Sequence, residues 1–345
     1  LAERLSRVIS SSFLIVREKS MNTILLLATS DGLAVCEPVS DGWREIQRGL
    51  ASRRLTSVIA REGVILAGAR DGVFRSNDLG QTWEEASMGL SMRHVRWLAF
   101  HPDISDFEFA GTEPAAIFVS HDGADTWEEA SEVARMRDEY GWSLPYSPEA
   151  GCVRGFAFNG SRAYAAVEDG CVLVSLDGGE SWRLAEGSRG RPDHWPAEAY
   201  IHSDVHSIAV HPSSPDLVYV PTGGGFYRSM NGGETWTLGY RGCYCRAVWV
   251  DPADPDHIIL GPADGVDRNG RIEETHDGGK NWASANAGLE VPWRSHMVER
   301  FAQLGNQLFA VLSNGELYSA PLPSLHWRAI VPELKGIAAV GFMKL

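Results

Sequence analysis

Short apolar runs recur along the chain with turn signals between them. One set begins each unit: 95–100 (VRWLAF), 153–158 (VRGFAF), 205–210 (VHSIAV) and 245–250 (CRAVWV). A His-Pro or Asp-Pro turn often follows, as at His101-Pro102, His211-Pro212 and Asp251-Pro252. A second apolar run comes next, at 24–28, 64–67, 163–166, 217–220, 257–260 and 307–311. Each is closed by a turn dipeptide: Asp31-Gly32, Asp71-Gly72, Asp169-Gly170, Gly223-Gly224, Asp264-Gly265 or Asn314-Gly315. Runs of this length, flanked by residues that tolerate positive φ, predict antiparallel hairpins. A third strand leads into a polar octapeptide ending in Trp, and the Trp starts a fourth strand.

The octapeptide fixes the repeat. Full copies are 76–83 (SNDLGQTW), 120–127 (SHDGADTW), 175–182 (SLDGGESW), 229–236 (SMNGGETW) and 275–282 (THDGGKNW). Weaker copies are 36–43 (CEPVSDGW) and 319–327 (SAPLPSLHW). The closing residues are Trp43, Trp83, Trp127, Trp182, Trp236, Trp282 and Trp327, about 40–55 residues apart. That period matches a four-stranded propeller blade. The expected fold is all-β: a single seven-bladed β-propeller spanning residues 1–345, with the octapeptide between the third and fourth strands. Two segments compete for the innermost strand of the first blade, 12–17 (SFLIVR) and 337–343 (IAAVGFM). The C-terminal one is favoured, since joining the two termini in one blade leaves no open sheet edge. The first ~18 residues would then lie outside the ring, with a helix-compatible pattern at Leu1, Leu5 and Val8.

The octapeptide reads as a mechanical turn. Its Asp can accept backbone N–H groups two or three residues on. Its Gly takes a conformation other residues avoid, its hydroxyls tie adjacent backbone, and its Trp buries a ring between sheets. Full copies on five blades cannot all face one site. In these residues the chain resembles the Asp-box, or bacterial-neuraminidase-repeat, β-propellers. The resemblance covers essentially the whole chain. It implies boxes on the outer rim, away from the ligand face. The group includes sialidases, xyloglucan-cleaving glycosidases, sortilin-type receptors and photosystem II assembly factors.

Charge narrows the partners. With 31 Lys and Arg against 45 Asp and Glu, the formal net charge is −14. A sequence-independent nucleic-acid binder needs the opposite balance, and an anionic membrane surface is disfavoured for the same reason. No run of 18 apolar residues predicts membrane insertion. The N-terminal apolar stretch is too short for a signal peptide. The cysteines, Cys36, Cys152, Cys171, Cys243 and Cys245, are odd in number and scattered. They read as reduced thiols, and the expected location is the cytoplasm. No cofactor is expected.

Long connections mark the expected ligand face: 131–152, 186–204, 238–244 and 284–297. They carry Tyr140, Trp142, Tyr146, His194, Trp195, Tyr200, His202, Tyr240, Arg241, Tyr244, Trp293, Arg294 and His296. Aligning the first strands puts Arg96, Arg154, His206 and Arg246 at one position. Successive blades would set these cations around the mouth of the channel, a place for a carboxylate or phosphate. Alternatively each Arg pairs with an acid such as Asp138, Glu139, Asp204 or Glu299, and both arrangements can hold together. The segment His202-Ser203-Asp204-Val205-His206 offers alternating side chains. They suit a divalent metal held by His202, Asp204 and His206, a general base at His206 oriented by Asp204, or a bonded loop.

The favoured function is a binding propeller whose ligand residues are Arg96, Arg154, His206, Arg246, Trp142, His194, Trp195, His202, Tyr244 and Trp293. Its partner would be an anionic small molecule, a glycan or an acidic protein segment. The alternative is a glycoside hydrolase, sialidase-like or xyloglucanase-like, with Asp204, His206 and Glu299 as catalytic candidates. The resemblance gives sialidases an N-terminal Phe/Tyr-Arg-Ile-Pro signature, which this chain lacks. A third possibility is a metal-dependent hydrolase at His202, Asp204 and His206.

Overall fold

A computed structural model describes residues 23–40, 42–144 and 151–345. The expectations for 12–17, for the first ~18 residues and for Tyr146 lie outside the described residues. The fold is a seven-bladed β-propeller, each blade a four-stranded antiparallel sheet. Blade 1 joins the two ends of the chain: Ile337–Lys344 is innermost, followed by Thr23–Thr29, Gly32–Val39 and Gly42–Gly49. The closing pair runs Leu25↔Phe342 and Leu27↔Val340. The other inner strands are Leu55–Arg61 (blade 2), His94–Phe100 (3), Cys152–Asn159 (4), Ala209–Val210 (5), Tyr244–Asp251 (6) and Val298–Leu304 (7).

The core is divided among the blade junctions. Seven apolar clusters each join residues of two neighbouring sheets. Blades 3 and 4, for example, meet through Phe109, Phe156 and Trp182. Full burial of one such side chain stabilises by about 2–3 kcal/mol. The octapeptides stitch these junctions from the rim. Ser76 Oγ donates to Asp78 Oδ1 at 2.8 Å and accepts Gly80 N–H at 2.8 Å. Asp78 accepts Thr82 N–H at 2.8 Å and Thr82 Oγ1–H at 2.6 Å. The backbone partner here is four residues on, and Asp277 also accepts the N–H three residues on, from Lys280 at 2.9 Å, as the sequence suggested. The Thr82 and Ser76 donors hold the Asp78 carboxyl at about 2. The same ties recur at Asp122, Asp177 and Asp277. Trp127 Nε1 and Trp327 Nε1 each donate to a carbonyl of the preceding blade, Ala86 and Ala285, at 2.9 Å.

Several local expectations are corrected. The segment 36–43 is not a box: Val39 pairs with Gly42 in a tight hairpin. Regular strand over 205–210 shrinks to Ala209–Val210, because the facing strand Val218–Thr222 contains Pro221. Pro221 accepts His206 N–H at 3.1 Å but has no N–H to return. Asp264-Gly265 opens a longer loop to the third strand, which begins at Glu273. The 131–152 connection contains a helix, α1 (Ser131–Tyr140), ended by Gly141 at φ 64° and packed inward through Val133.

Gly179 tests the blade junction. Its φ is +104°, and a Cβ there would lie 2.5 Å from Phe109 of the adjacent blade. Gly179→Ala is expected to lower unfolding free energy by about 2–3 kcal/mol in urea titration. A change within about 0.5 kcal/mol would show that the junction is not tightly packed.

Candidate functional site

One residue per inner strand is turned into the channel by a backbone irregularity. In six of the seven inner strands the register slips immediately after a buried apolar residue. The skipped positions are Thr56, Arg96, Arg154, Glu299 and Ala338, with Arg246 and Ala247 both skipped in blade 6. In blade 5 the equivalent residue is His206, after the Val205↔Thr222 bridge. A bulge leaves its extra residue unpaired, bends the strand and re-aims that side chain. Repeated around a ring, it builds a collar of single side chains at one end of the channel.

The collar is a charged network. Glu299 accepts from Arg154 Nη2 at 3.4 Å and is bonded to Arg246 Nη1. Arg154 Nη1 also meets Glu168 Oε2 at 3.2 Å, Arg246 Nη1 meets Asp267 Oδ1 at 3.4 Å, and Arg96 Nη1 meets Glu113 Oε2 at 3.2 Å. Burial opposes the charge on Glu299, yet Arg246, Arg154 and Arg300 hold its pKa below the usual value. Arg300 hydrogen-bonds to carbonyls, its Nη2 donating to Thr56 O at 3.1 Å and to Arg96 O at 3.5 Å, and feels the Glu299 charge nearby. Its guanidinium lies 4.0 Å over the Trp97 ring. Burial, then the nearby Arg154 charge, push Arg300 down to about 9.

This collar floors a cavity of about 520 Å³. Six arginines line it, Arg54, Arg70, Arg96, Arg154, Arg246 and Arg300, with His94 and one carboxylate, Glu299. Three of these arginines, Arg96, Arg154 and Arg246, are paired with acids, and the group lines open space.

A second cavity, about 1070 Å³, opens over blades 5 and 6. His194, Trp195, His202, Asp204 and Tyr244 line it, together with Tyr200, Tyr227 and Arg241. Trp195 is 93% exposed there. His206, expected as a ligand residue, is buried and lines neither cavity. Its Nδ1 donates to Cys245 O at 2.7 Å, and its Nε2 faces Asp204 Oδ1 at 2.9 Å and Tyr244 Oη at 3.1 Å. Burial opposes the Asp204 charge, but the His206 ring, its hydrogen bond, His202 and Arg154 keep the carboxyl at about 2. Nearby Asp169 goes the other way: burial, then the Asp204 charge, raise it to about 6.

The HxDxH segment does not gather its three side chains. His202 Nδ1 accepts the Asp204 N–H at 3.1 Å, an intraloop bond. The ligand atoms that converge are those of Glu168, Asp204 and His206, and Arg154 already occupies Glu168. Trp142 and Trp293 leave the ligand face: each is a core residue, and Trp142 Nε1 donates to Gly190 O at 2.6 Å. Asp138 is exposed on α1, paired with Arg137. All five cysteines are free and buried.

Sequence reading missed Arg54, Arg70, Glu113, Glu168, Asp169 and Arg300. It also missed that Glu299 shares the arginine register, although Val298-Glu299 aligns directly with Val153-Arg154. The cue was the apolar residue before each collar position, not the charge at it.

Structurally, then, the chain is a propeller with a cationic collar at the channel mouth. No family model matches it, and no curated protein matches it in sequence. Among solved structures it is similar to an ancestral GH74 enzyme, at 18% identity and TM-score 0.59, over 90% of this chain and 40% of that one. The GH74 xyloglucanase from Xanthomonas campestris gives 16% and 0.59, over 81% and 45%. The structure described as YCF48 bound to D1 peptide gives 15% and 0.57, over 84% of this chain and 89% of that one. The chain thus spans less than half the length of either GH74 structure, and the likeness concerns the fold.

Asp169 generates a pH prediction. Its ordinary value is 3.8 and its folded value about 6. The folded state therefore binds this proton more tightly, and the contribution to stability is full below pH 4 and lost as pH rises through 6. Between pH 4 and 7 the parent protein is expected to lose on the order of 2 kcal/mol relative to Asp169→Asn. Parallel stability profiles in chemical denaturation would contradict that environment.

Proposed function

We propose that this chain is a binding propeller of the Asp-box type whose channel mouth captures an anionic group, most simply carboxylates on an acidic segment of a partner protein. The supporting observation is the cavity lined by six arginines and one carboxylate in a chain of net charge −14. Guanidinium groups bind carboxylates through paired N–H donors. Arg54 and Arg70, exposed at the cavity edge, are free to turn their guanidinium groups onto an incoming anion. YCF48, of similar fold and length, was solved with a bound peptide. In this reading the octapeptide turns are rim fasteners and take no part in binding.

A specific observation supports a glycoside hydrolase as the second reading. Asp169 and Asp204 sit beside the aromatic groove with carboxyls at about 6 and about 2. Carboxyl groups driven apart in this way suit an acid and a base. The pairing of Asp204 with His206 and the short overlap with GH74 chains leave binding preferred.

Arg54 and Arg70 are exposed, so removing them leaves the core intact. A fluorescent hexaglutamate peptide with a free carboxyl terminus is expected to bind with an affinity that falls as salt rises. Arg54→Ala combined with Arg70→Ala should weaken it ~10-fold or more, consistent with about 1.5–3 kcal/mol for a charged hydrogen bond. Binding that ignores both changes would remove the collar from the function. Hydrolysis of xyloglucan oligosaccharides, lost in Asp204→Asn, would replace binding with the second reading.

A further inference from the structure

We propose that His257, Glu274 and His276, on blade 6 far from the collar, form a binding site for a divalent transition-metal ion, with zinc as its occupant. Arg246 stands near the start of the inner strand Tyr244–Asp251 and Asp251 at its end. The two sites therefore belong to opposite ends of the blade.

Strand register builds the cluster. His257 is in the second strand, Asp254–Ala263, and Glu274 in the third, Glu273–Thr275, with His276 directly after it. The pairs Ile258↔Thr275 and Ile259↔Glu274 extend to place His257 across from His276. Glu274 is two residues from His276, so all three side chains emerge on one face. The imidazole rings stack, centroids 4.1 Å apart and planes 20° apart. His257 Nε2 and His276 Nε2 each lie 3.6 Å from Glu274 Oε2. All three ligand atoms lie within 4.8 Å of one another.

Those separations suit a metal between the atoms, with the exposed His276 ring turning out of the stack so that its in-plane lone pair meets that of His257. Zinc bonds to His nitrogen and carboxylate oxygen run ~2.0–2.2 Å, which puts ligand atoms at tetrahedral corners ~3.3–3.6 Å apart. Direct hydrogen bonds would be shorter, at ~2.7–3.2 Å. The tautomer is prepared. Asp251 Oδ2 is 3.1 Å from His257 Nδ1 and takes its proton in a hydrogen bond. The lone pair is left on Nε2, which is buried and has no hydrogen-bond partner. A carboxylate behind the far nitrogen is how metal-bound imidazoles are oriented. The Trp249 ring stands edge-on 5.5 Å behind His257 and walls it off. His276 has a 65% exposed side chain, so an ion has a direct path in, and a fourth ligand can come from water. Two imidazoles and one carboxylate are a borderline donor set that favours zinc over calcium or magnesium.

The test uses tag-free protein stripped of metal with a chelator and titrated with Zn²⁺ in calorimetry. One equivalent is expected to bind. His276→Ala, a change at an exposed side chain, should weaken binding ~100-fold, and Glu274→Gln should also weaken it. Asp251→Ala should weaken it ~10-fold or more while leaving all three ligands in place. Co²⁺ should give the visible bands of a low-coordinate nitrogen–oxygen site without a thiolate charge-transfer band. No stoichiometric binding, equal binding by His276→Ala, or a thiolate band would each overturn the assignment. An imidazolium–carboxylate pair without metal would give the first of these results.

Discussion

Like charges gathered at one end of a narrow channel repel, and the propeller must hold them there. For two unit charges ~6 Å apart at an effective dielectric of ~20, the repulsion is about 3 kcal/mol. Glu299 answers most of it by bridging Arg154 and Arg246, while Glu168 and Glu113 stand behind Arg154 and Arg96. Removing Glu299 would leave neighbouring guanidinium groups facing each other in a partly buried space. The collar is thus a compensated cluster, with its cationic surplus at the exposed edge of Arg54 and Arg70.

The surplus depends on backbone geometry before it depends on charge. A regular inner strand would alternate its side chains between the two faces of its sheet. The repeated bulge interrupts that alternation at the same place in successive blades and turns one residue into the channel. The buried residue ahead of it, Val95, Val153 or Val298, anchors the strand in the blade junction. Junction packing, bulge and collar therefore form a chain of dependence. The octapeptides act at the far end of it, fastening the outer strands so that the inner ones keep their spacing.

The blade count and the strand pairs were legible because hydrophobic runs, turn dipeptides and Trp repeat at one period. The arginine register was legible for the same reason. Glu299 was seen only as a stray acid, since its charge hid its kinship with Arg154. Arg54 comes from a segment with no special signal and Arg70 stands beside the Asp71-Gly72 turn, and only the ring brings them to the collar. Trp142 and Trp293 misled because a long loop with a large aromatic resembles a ligand surface. In the folded chain α1 and the neighbouring blades bury Trp142, while Trp293 packs within the junction of blades 6 and 7. Asp169 was read as turn chemistry, which it is: its φ is 59°. Its raised pKa comes from burial and from Asp204, a neighbour that only the fold supplies.

The central claim is that the channel mouth attracts and holds anions. Crystals soaked in bromide, with anomalous scattering used to find the ions, test it whatever the natural ligand is. The account predicts a bromide in the collar cavity, within reach of Arg300 and its neighbouring guanidinium groups. Bromide at surface arginines elsewhere, with none in that cavity, would contradict it.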